Sequence, residues 1–275
     1  MTLTVELYRK FVNLIYKKTG IWFEPSKRYF VDKRLDERIA ELGLEKYQEY
    51  YQLLKFSNDQ REMQHLVNLL TVNETYFFRD FPQLQGFAEE VLLQVVKAKV
   101  ASGIRKIRLW SAGCSTGEEP YTLAIILLEM LPEPEQWTIE VLATDINTKV
   151  IEAARRGLYN SRSVKDVPHE YLERYFVKRR DQYLLNTQVR NMVHFKLLNL
   201  MEDQEMENQL EYDFIFCRNV LIYFDPVSRL KVLDSFYQSL KNGGFIYLGH
   251  SESVGRITDL FKMKRIGNSI AYYKR

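Results

Sequence analysis

Glu118 and Glu119 follow a run of small residues, Ser111-Ala-Gly-Cys-Ser-Thr-Gly117, and precede Pro120. Gly113, Ser115 and Gly117 allow a tight backbone turn and leave room for a ligand to approach the main chain. The two acids and Pro120 suit a helix's first turn, where a missing N–H costs little and negative charge is favoured. Arg108 to Ser111 reads as the end of a buried strand, and Tyr121 to Leu131 as a helix with Leu123, Ile126, Leu127 and Met130 at helical spacing. Strand, small-residue turn and helix form the first half of a nucleotide-binding α/β unit. The spacing Gly-x-x-x-Gly departs from the dinucleotide fingerprint, and no Gly-Lys-Ser/Thr follows for a triphosphate. Acids at the helix start would repel a phosphate where phosphates usually bind. They suit a ligand with an amino group or a sulfonium, such as S-adenosylmethionine, and they are also ordinary helix caps.

Other candidates lie where strands should end. The apolar strand Trp137 to Thr144 stops at Asp145, placed either to accept ribose hydroxyls or to cap the next helix. Tyr212 to Cys217 is the most hydrophobic strand, hence central, and runs straight into Arg218-Asn-Val-Leu-Ile-Tyr223. Asn219 and Tyr223 therefore fall beyond a carboxyl strand end, where ligands bind in open sheets. Residues 71 to 81 are too aromatic for a linker, and set Asn73, Thr75 and Arg79 among Tyr76, Phe77, Phe78 and Phe81. Those polar groups are expected close to the site. Cys114 and Cys217 read as reduced small residues rather than a disulfide. His65, His169, His194 and His250 have no metal-ligand spacing, so no metal is expected.

Residues 5 to 70 must be helical: Val5 to Lys18 closed by Gly20, Lys27 to Leu42 closed by Gly43, then about Glu45 to Lys55 and Gln60 to Leu70, the last capped by Asn58 or Asp59. On the second helix Lys27, Arg34 and Arg38 share a face, which is either solvated or a docking surface for an acidic helical partner. Pro82 opens a helix to about Ser102. From Lys106 strands and helices alternate, as in a parallel sheet covered on both faces. Residues 158 to 192 break the alternation as a small antiparallel insertion, with Arg179-Arg180-Asp181 as its hairpin turn. Pro226 to Leu240 is a helix, Asn242-Gly243-Gly244 a turn, Phe245 to Gly249 a strand, and the tail a closing antiparallel pair about Gly267-Asn268. The expected division is 1–72 helical, 73–103 linker and helix, and 104–275 the α/β sheet.

With 39 basic and 36 acidic side chains, a net charge of +3, charge gives no reason to expect nucleic acid. No long apolar run or signal-peptide pattern appears, so a soluble, cytoplasmic monomer without membrane insertion is expected.

Five stretches together resemble the chemotaxis receptor glutamate O-methyltransferases, the CheR family: Asn73-Glu-Thr-Tyr-Phe-Phe-Arg-Asp80, Trp110 to Tyr121, Ala143-Thr-Asp-Ile146, Phe216 to Phe224, and Gly249-His-Ser-Glu252. The resemblance implies a class I, Rossmann-like methyltransferase sheet preceded by an all-helical receptor-docking domain. It implies S-adenosylmethionine as cofactor, S-adenosylhomocysteine as product, and glutamate carboxylates on chemoreceptor cytoplasmic domains as acceptors. The family's cofactor contacts fall on Asn73, Thr75, Arg79, Glu119, Asp145, Asn199, Leu200, Asn219 and Val220, and its reacting centre on Arg79 and Tyr223. The turn Lys178-Arg-Arg-Asp-Gln182 is shorter than in members that grip a receptor tail and lacks their glycine, so no such tether is expected.

Overall fold

Periodic apolar residues build a helical bundle from α1 (Val5–Thr19), α2 (Arg28–Glu41), α3 (Tyr47–Phe56) and α4 (Gln60–Leu70). The computed structural model describes residues 3–57, 60–254 and 258–275. Thr4 caps α1 by accepting the Leu7 N–H, and Gly20, at φ 73°, ends it by donating to the Tyr16 carbonyl. The expected caps of α4, Asn58 and Asp59, lie outside the described residues. Phe11 and Ile15, one helical turn apart, meet Val31, Leu35, Tyr50 and Leu66 in a fully buried core.

The basic face of α2 needs correction. Lys27 is exposed, but in a 3-10 turn (Pro25–Lys27) ahead of the helix. Arg38 turns into the bundle, where Nε and Nη2 hold Glu62 of α4 at 2.8 and 2.6 Å and Nη1 holds Glu41 at 2.8 Å. Arg34 is paired with Glu37 at 2.8 Å. An inward carboxylate on the neighbouring helix thus claims a cation that helical spacing alone assigns to the surface.

The helix expected from Pro82 to Ser102 has three parts: α5 (Phe81–Gly86), a π-helical turn (Phe87–Leu92) and α6 (Leu93–Ala101). Buried Phe87, heading the π turn, makes edge contacts with Phe214, Phe216 and Tyr247 of the sheet.

The remainder runs β1 (Lys106–Ala112), α7 (Glu118–Met130), β2 (Thr138–Asp145), α8 (Thr148–Arg156), β3 (Leu158–Asn160), α9 (His169–Tyr175), β4 (Phe176–Arg179), β5 (Gln182–Leu185), α10 (Thr187–Met192), β6 (Val193–Leu197), α11 (Asp203–Glu207), β7 (Tyr212–Cys217), α12 (Pro226–Ser239), β8 (Leu240–Leu248), β9 (Lys262–Ile266) and β10 (Ser269–Tyr273). The main sheet has the order β6-β2-β1-β7-β8-β10-β9, parallel from β6 to β8, with β10 antiparallel to both neighbours. β7, buried along its whole length, is the middle strand. Apolar clusters cover each face, one around Leu109, Leu123 and Phe214, the other around Trp110, Ile215 and Phe236.

Two details differ from the sequence expectation. Gly243-Gly244 lies inside β8, at a register shift against β7, rather than in a turn before it. A Cβ on Gly244 would come within 2.9 Å of the Lys241 carbonyl and 3.0 Å of the Tyr212 carbonyl, so the glycine permits this close pairing. The insertion is a separate sheet of order β3-β5-β4, and β3 and α10 are too short to leave a periodic signal.

Candidate active site

β1 pairs with β2 on one side and β7 on the other, so the chain reverses its winding direction at β1. Crevices form beyond the carboxyl ends of strands at such a point. A cavity of about 280 Å³ lies there. Asn73, Thr75, Arg79, Glu119, Asp145, Asn199, Leu200, Asn219, Val220 and Tyr223 all line it.

The turn after β1 forms the floor. Gly113 (φ 82°) and Cys114 donate their N–H groups to the Thr144 carbonyl, at 2.8 and 2.9 Å. A Cβ on Gly113 would lie 2.2 Å from Cγ2 of Val220, so only glycine lets the turn close against the β7 loop. Ser115, at φ 49°, donates its N–H to Oδ2 of Asp145 at 2.8 Å, and its hydroxyl donates to the Asn73 carbonyl at 2.9 Å. Asp145 is buried, and its Oδ1 accepts the Asn147 N–H at 2.9 Å. Burial pushes its carboxyl up, opposed by the N–H bonds from Asn147 and Ser115. The cap of α8 is Asn147, whose Oδ1 accepts from Lys149 and Val150, so Asp145 is not the cap.

Glu118 and Glu119 have different tasks. Glu118 turns into the protein, accepting from the Thr116 hydroxyl at 2.6 Å, and burial raises its pKa. Glu119 faces the cavity; Oε1 accepts from the Ser111 hydroxyl and Oε2 from Nε of Arg218, both at 2.7 Å. Of the two acids, Glu119, the one the resemblance names, lines the cavity.

Arg218 is a residue the sequence reading passed over. Its buried guanidinium also donates to Oε1 of Gln83 at 3.3 Å and to the Arg79 carbonyl at 2.9 Å. One cation thus ties β7, α7, α5 and the aromatic segment together. Its signal was its place beside Asn219 at a central strand end.

The aromatic segment is held from the insertion. Phe77 is edge-on to Tyr159 and Phe176 at 4.8 and 5.0 Å, and its N–H donates to the Ser163 carbonyl at 2.9 Å. The Phe78 N–H donates to the Thr122 hydroxyl at 3.1 Å. Arg79, half-exposed, donates to the Glu74 carbonyl at 2.9 Å and lies over the Tyr76 ring, so it is not spent on a carboxylate. Oδ1 of Asp80 instead lies 2.8 Å from Nε2 of His250. Tyr223 ends the 3-10 turn Leu221–Tyr223. Burial raises its hydroxyl's pKa and the charge of Arg79 acts against that; both side chains line the cavity.

The helical bundle supplies the remaining wall through Thr19, Ile21 and Leu70. The Asn199 amide donates to the Lys18 carbonyl at 2.7 Å, and its Oδ1 accepts the Met201 N–H at 3.1 Å. Its side chain thus joins sheet to bundle. The Trp22 N–H donates to the Tyr223 carbonyl at 2.8 Å, and Ile21 bridges Phe224.

The lining carries three acids, Glu74, Glu119 and Asp145, against two arginines, of which Arg218 is already paired with Glu119, and this balance suits a cofactor with an ammonium, a sulfonium and a ribose. Sheet order and site define a class I S-adenosylmethionine-dependent methyltransferase. Residues 73–269 match the description "CheR methyltransferase, SAM binding domain" and residues 6–71 match "CheR methyltransferase, all-alpha domain". The chain belongs to the CheR methyltransferase family and acts in chemotaxis as a methyltransferase using S-adenosylmethionine.

It is 45% identical to chemotaxis protein methyltransferase 2 of Vibrio cholerae, over 96% of this chain and 91% of the relative. It is 36% identical to the chemotaxis protein methyltransferases of Salmonella typhimurium and Escherichia coli, over 94% of this chain and 87% of each relative. Among the described residues no helix is long and apolar enough to cross a membrane, and no cluster of His, Cys, Asp or Glu is arranged to hold a metal ion.

Proposed function

We propose that the chain methylates glutamate side-chain carboxylates on the cytoplasmic helices of chemoreceptors, giving glutamate methyl esters and S-adenosylhomocysteine, as a protein-glutamate O-methyltransferase of the cytoplasm. The observation that carries this is the pair Arg79 and Tyr223 at one cavity, with no histidine among the lining residues. An exposed glutamate, with a pKa of about 4.3, is already ionised at neutral pH and needs no general base. Cys114 does not compete as a nucleophile, because burial holds its thiol well above the usual range.

When bound, S-adenosylmethionine supplies a methyl group on a positively charged sulfur. Glu119, Asp145, Asn73, Thr75, Asn219 and the main chain at Asn199 and Leu200 would hold the cofactor, with Val220 packed against it. Arg79 would orient the incoming carboxylate, and Tyr223 would offer it one hydrogen bond. Both aid a near-attack geometry of roughly 3 to 3.5 Å. A tight bidentate grip by arginine would favour the ground-state anion over a transition state in which charge is being neutralised. Sharing Arg79 with the Glu74 carbonyl and the Tyr76 ring moderates that grip.

The relatives' names support a chemoreceptor acceptor. Of the basic residues expected to meet an acidic helix, Lys27 stays exposed ahead of α2, whereas Arg34 is shared with Glu37. The β4–β5 turn, passing through Arg180 at φ 54° without a glycine, supports recognition without a receptor-tail tether. The test is incubation with methyl-labelled S-adenosylmethionine and purified receptor cytoplasmic domains, then mapping of base-labile label. Label on glutamate supports the proposal; label elsewhere, or none, rejects it.

A further inference from the structure

Asn219, Val220, Ile222 and Tyr223 line the cavity from a loop that leaves the central strand with Asn219 in the left-handed region, at φ 60°. A loop in that conformation needs something to hold it, because its backbone N–H groups have left the sheet. We infer that Glu252 is the residue that holds it, as a positioning residue for both halves of the site; this rests on the reading of Asn219 and Tyr223 given above.

The carboxylate of Glu252 accepts three backbone N–H groups. Oε2 takes those of Gly249 at 2.7 Å and Asn219 at 2.9 Å, and Oε1 takes that of Ile222 at 3.2 Å. Its own N–H closes the turn by donating to the Gly249 carbonyl at 2.9 Å. That turn follows β8, whose last residue Leu248 pairs with Cys217 at the end of β7, so neighbouring strand ends deliver the two loops to each other. Gly249 is part of the device: a Cβ there would lie 2.8 Å from Oε2 of Glu252 and 2.9 Å from the Asn219 nitrogen. Glu252 is not among the cavity-lining residues, so its influence passes through the loop.

The two oxygens divide the work. Oε2 fixes Asn219, on the cofactor side, and Oε1 fixes Ile222, next to Tyr223 on the acceptor side. In Glu252→Gln the amide oxygen best replaces Oε2, which makes two shorter bonds, leaving an NH2 group facing the Ile222 N–H. The acceptor side is then loosened and the cofactor side kept. Glu252→Ala and Gly249→Ala loosen both.

The experiment measures the Kd of S-adenosylhomocysteine by calorimetry, and kcat with a receptor cytoplasmic domain, in the full chain. Glu252→Gln should lower kcat roughly tenfold, the size of one lost hydrogen bond, and leave Kd within about twofold. Glu252→Ala and Gly249→Ala should lower kcat and also raise Kd, by roughly three- to tenfold. Adding Glu252→Gln to Tyr223→Phe should cost less than about twofold more, since the group it positions is already gone. Wild-type kcat in Glu252→Gln with wild-type Kd in both alanine variants overturns the inference. So does an equal rise of Kd in Glu252→Gln and Glu252→Ala, or an undiminished cost of Glu252→Gln in the Tyr223→Phe background. If the wild-type chain transfers no methyl to the receptor domain, the acceptor assignment fails, and the contrast in Kd between Glu252→Ala and Glu252→Gln still decides the role of Glu252.

Discussion

Arg218, at the carboxyl end of the central strand, places its Nε 2.7 Å from Oε2 of Glu119 at the start of α7, and both side chains are largely buried. Their pairing lets an acid face the cavity without standing unpaired. Removing the cation alone would strand that carboxylate in a low dielectric. Arg218→Met should therefore cost about 3 to 5 kcal/mol of stability in urea unfolding, and Arg218→Met with Glu119→Gln much less. Equal losses in the single and double variants would show that the pair is not what matters.

Arg79 and Tyr223 should separate kinetically. Arg79 belongs to the segment clamped by Arg218 and the insertion, so Arg79→Ala should impair both S-adenosylmethionine binding and turnover. Tyr223→Phe removes one hydroxyl and should lower kcat by about 1 to 3 kcal/mol of barrier while Kd stays near wild type. The same loss of cofactor affinity in both would make Tyr223 a packing residue.

Asp145 holds the turn after β1 and, in the proposed function, the cofactor as well. Asp145→Ala removes the acceptor of the Ser115 and Asn147 N–H groups, and should weaken cofactor binding by about 1 to 3 kcal/mol in calorimetry. Wild-type affinity in the folded variant would confine Asp145 to supporting the backbone.

The helical bundle carries an acid-sensitive element in Glu62. Burial alone would raise its carboxyl, but hydrogen bonds from Arg38 and Tyr50 outweigh that and leave the pKa below the usual value. A carboxyl lowered by folding contributes stability above its unfolded pKa, about 4.3, and loses it as pH falls from there through the folded value. Melting temperatures followed between neutral pH and pH about 3 should fall less steeply in Glu62→Gln than in wild type. Parallel curves would remove Glu62 from the acid response.

Strand-end motifs made most of the site legible, because Gly113, Asp145 and Asn219 mark places where a parallel sheet must stop. The bundle, β7 and the insertion hairpin were also readable from apolar period and turn residues. Three things were not. Arg38 looks like a surface cation until α4 brings Glu62 against it. Helix-start chemistry does not tell Glu118 from Glu119; only the resemblance names Glu119, and the fold turns Glu118 inward and leaves Glu119 on the cavity. Arg218 reaches Glu119 across 99 residues and Glu252 reaches Asn219 across 33, separations that no local pattern records.

The acceptor is open to a direct test. Purified chain, methyl-labelled S-adenosylmethionine and a chemoreceptor cytoplasmic domain should give label on receptor glutamates that is released as methanol by mild base, and this label should be absent with Arg79→Ala. Base-stable label, or label on any side chain other than glutamate, would contradict the account.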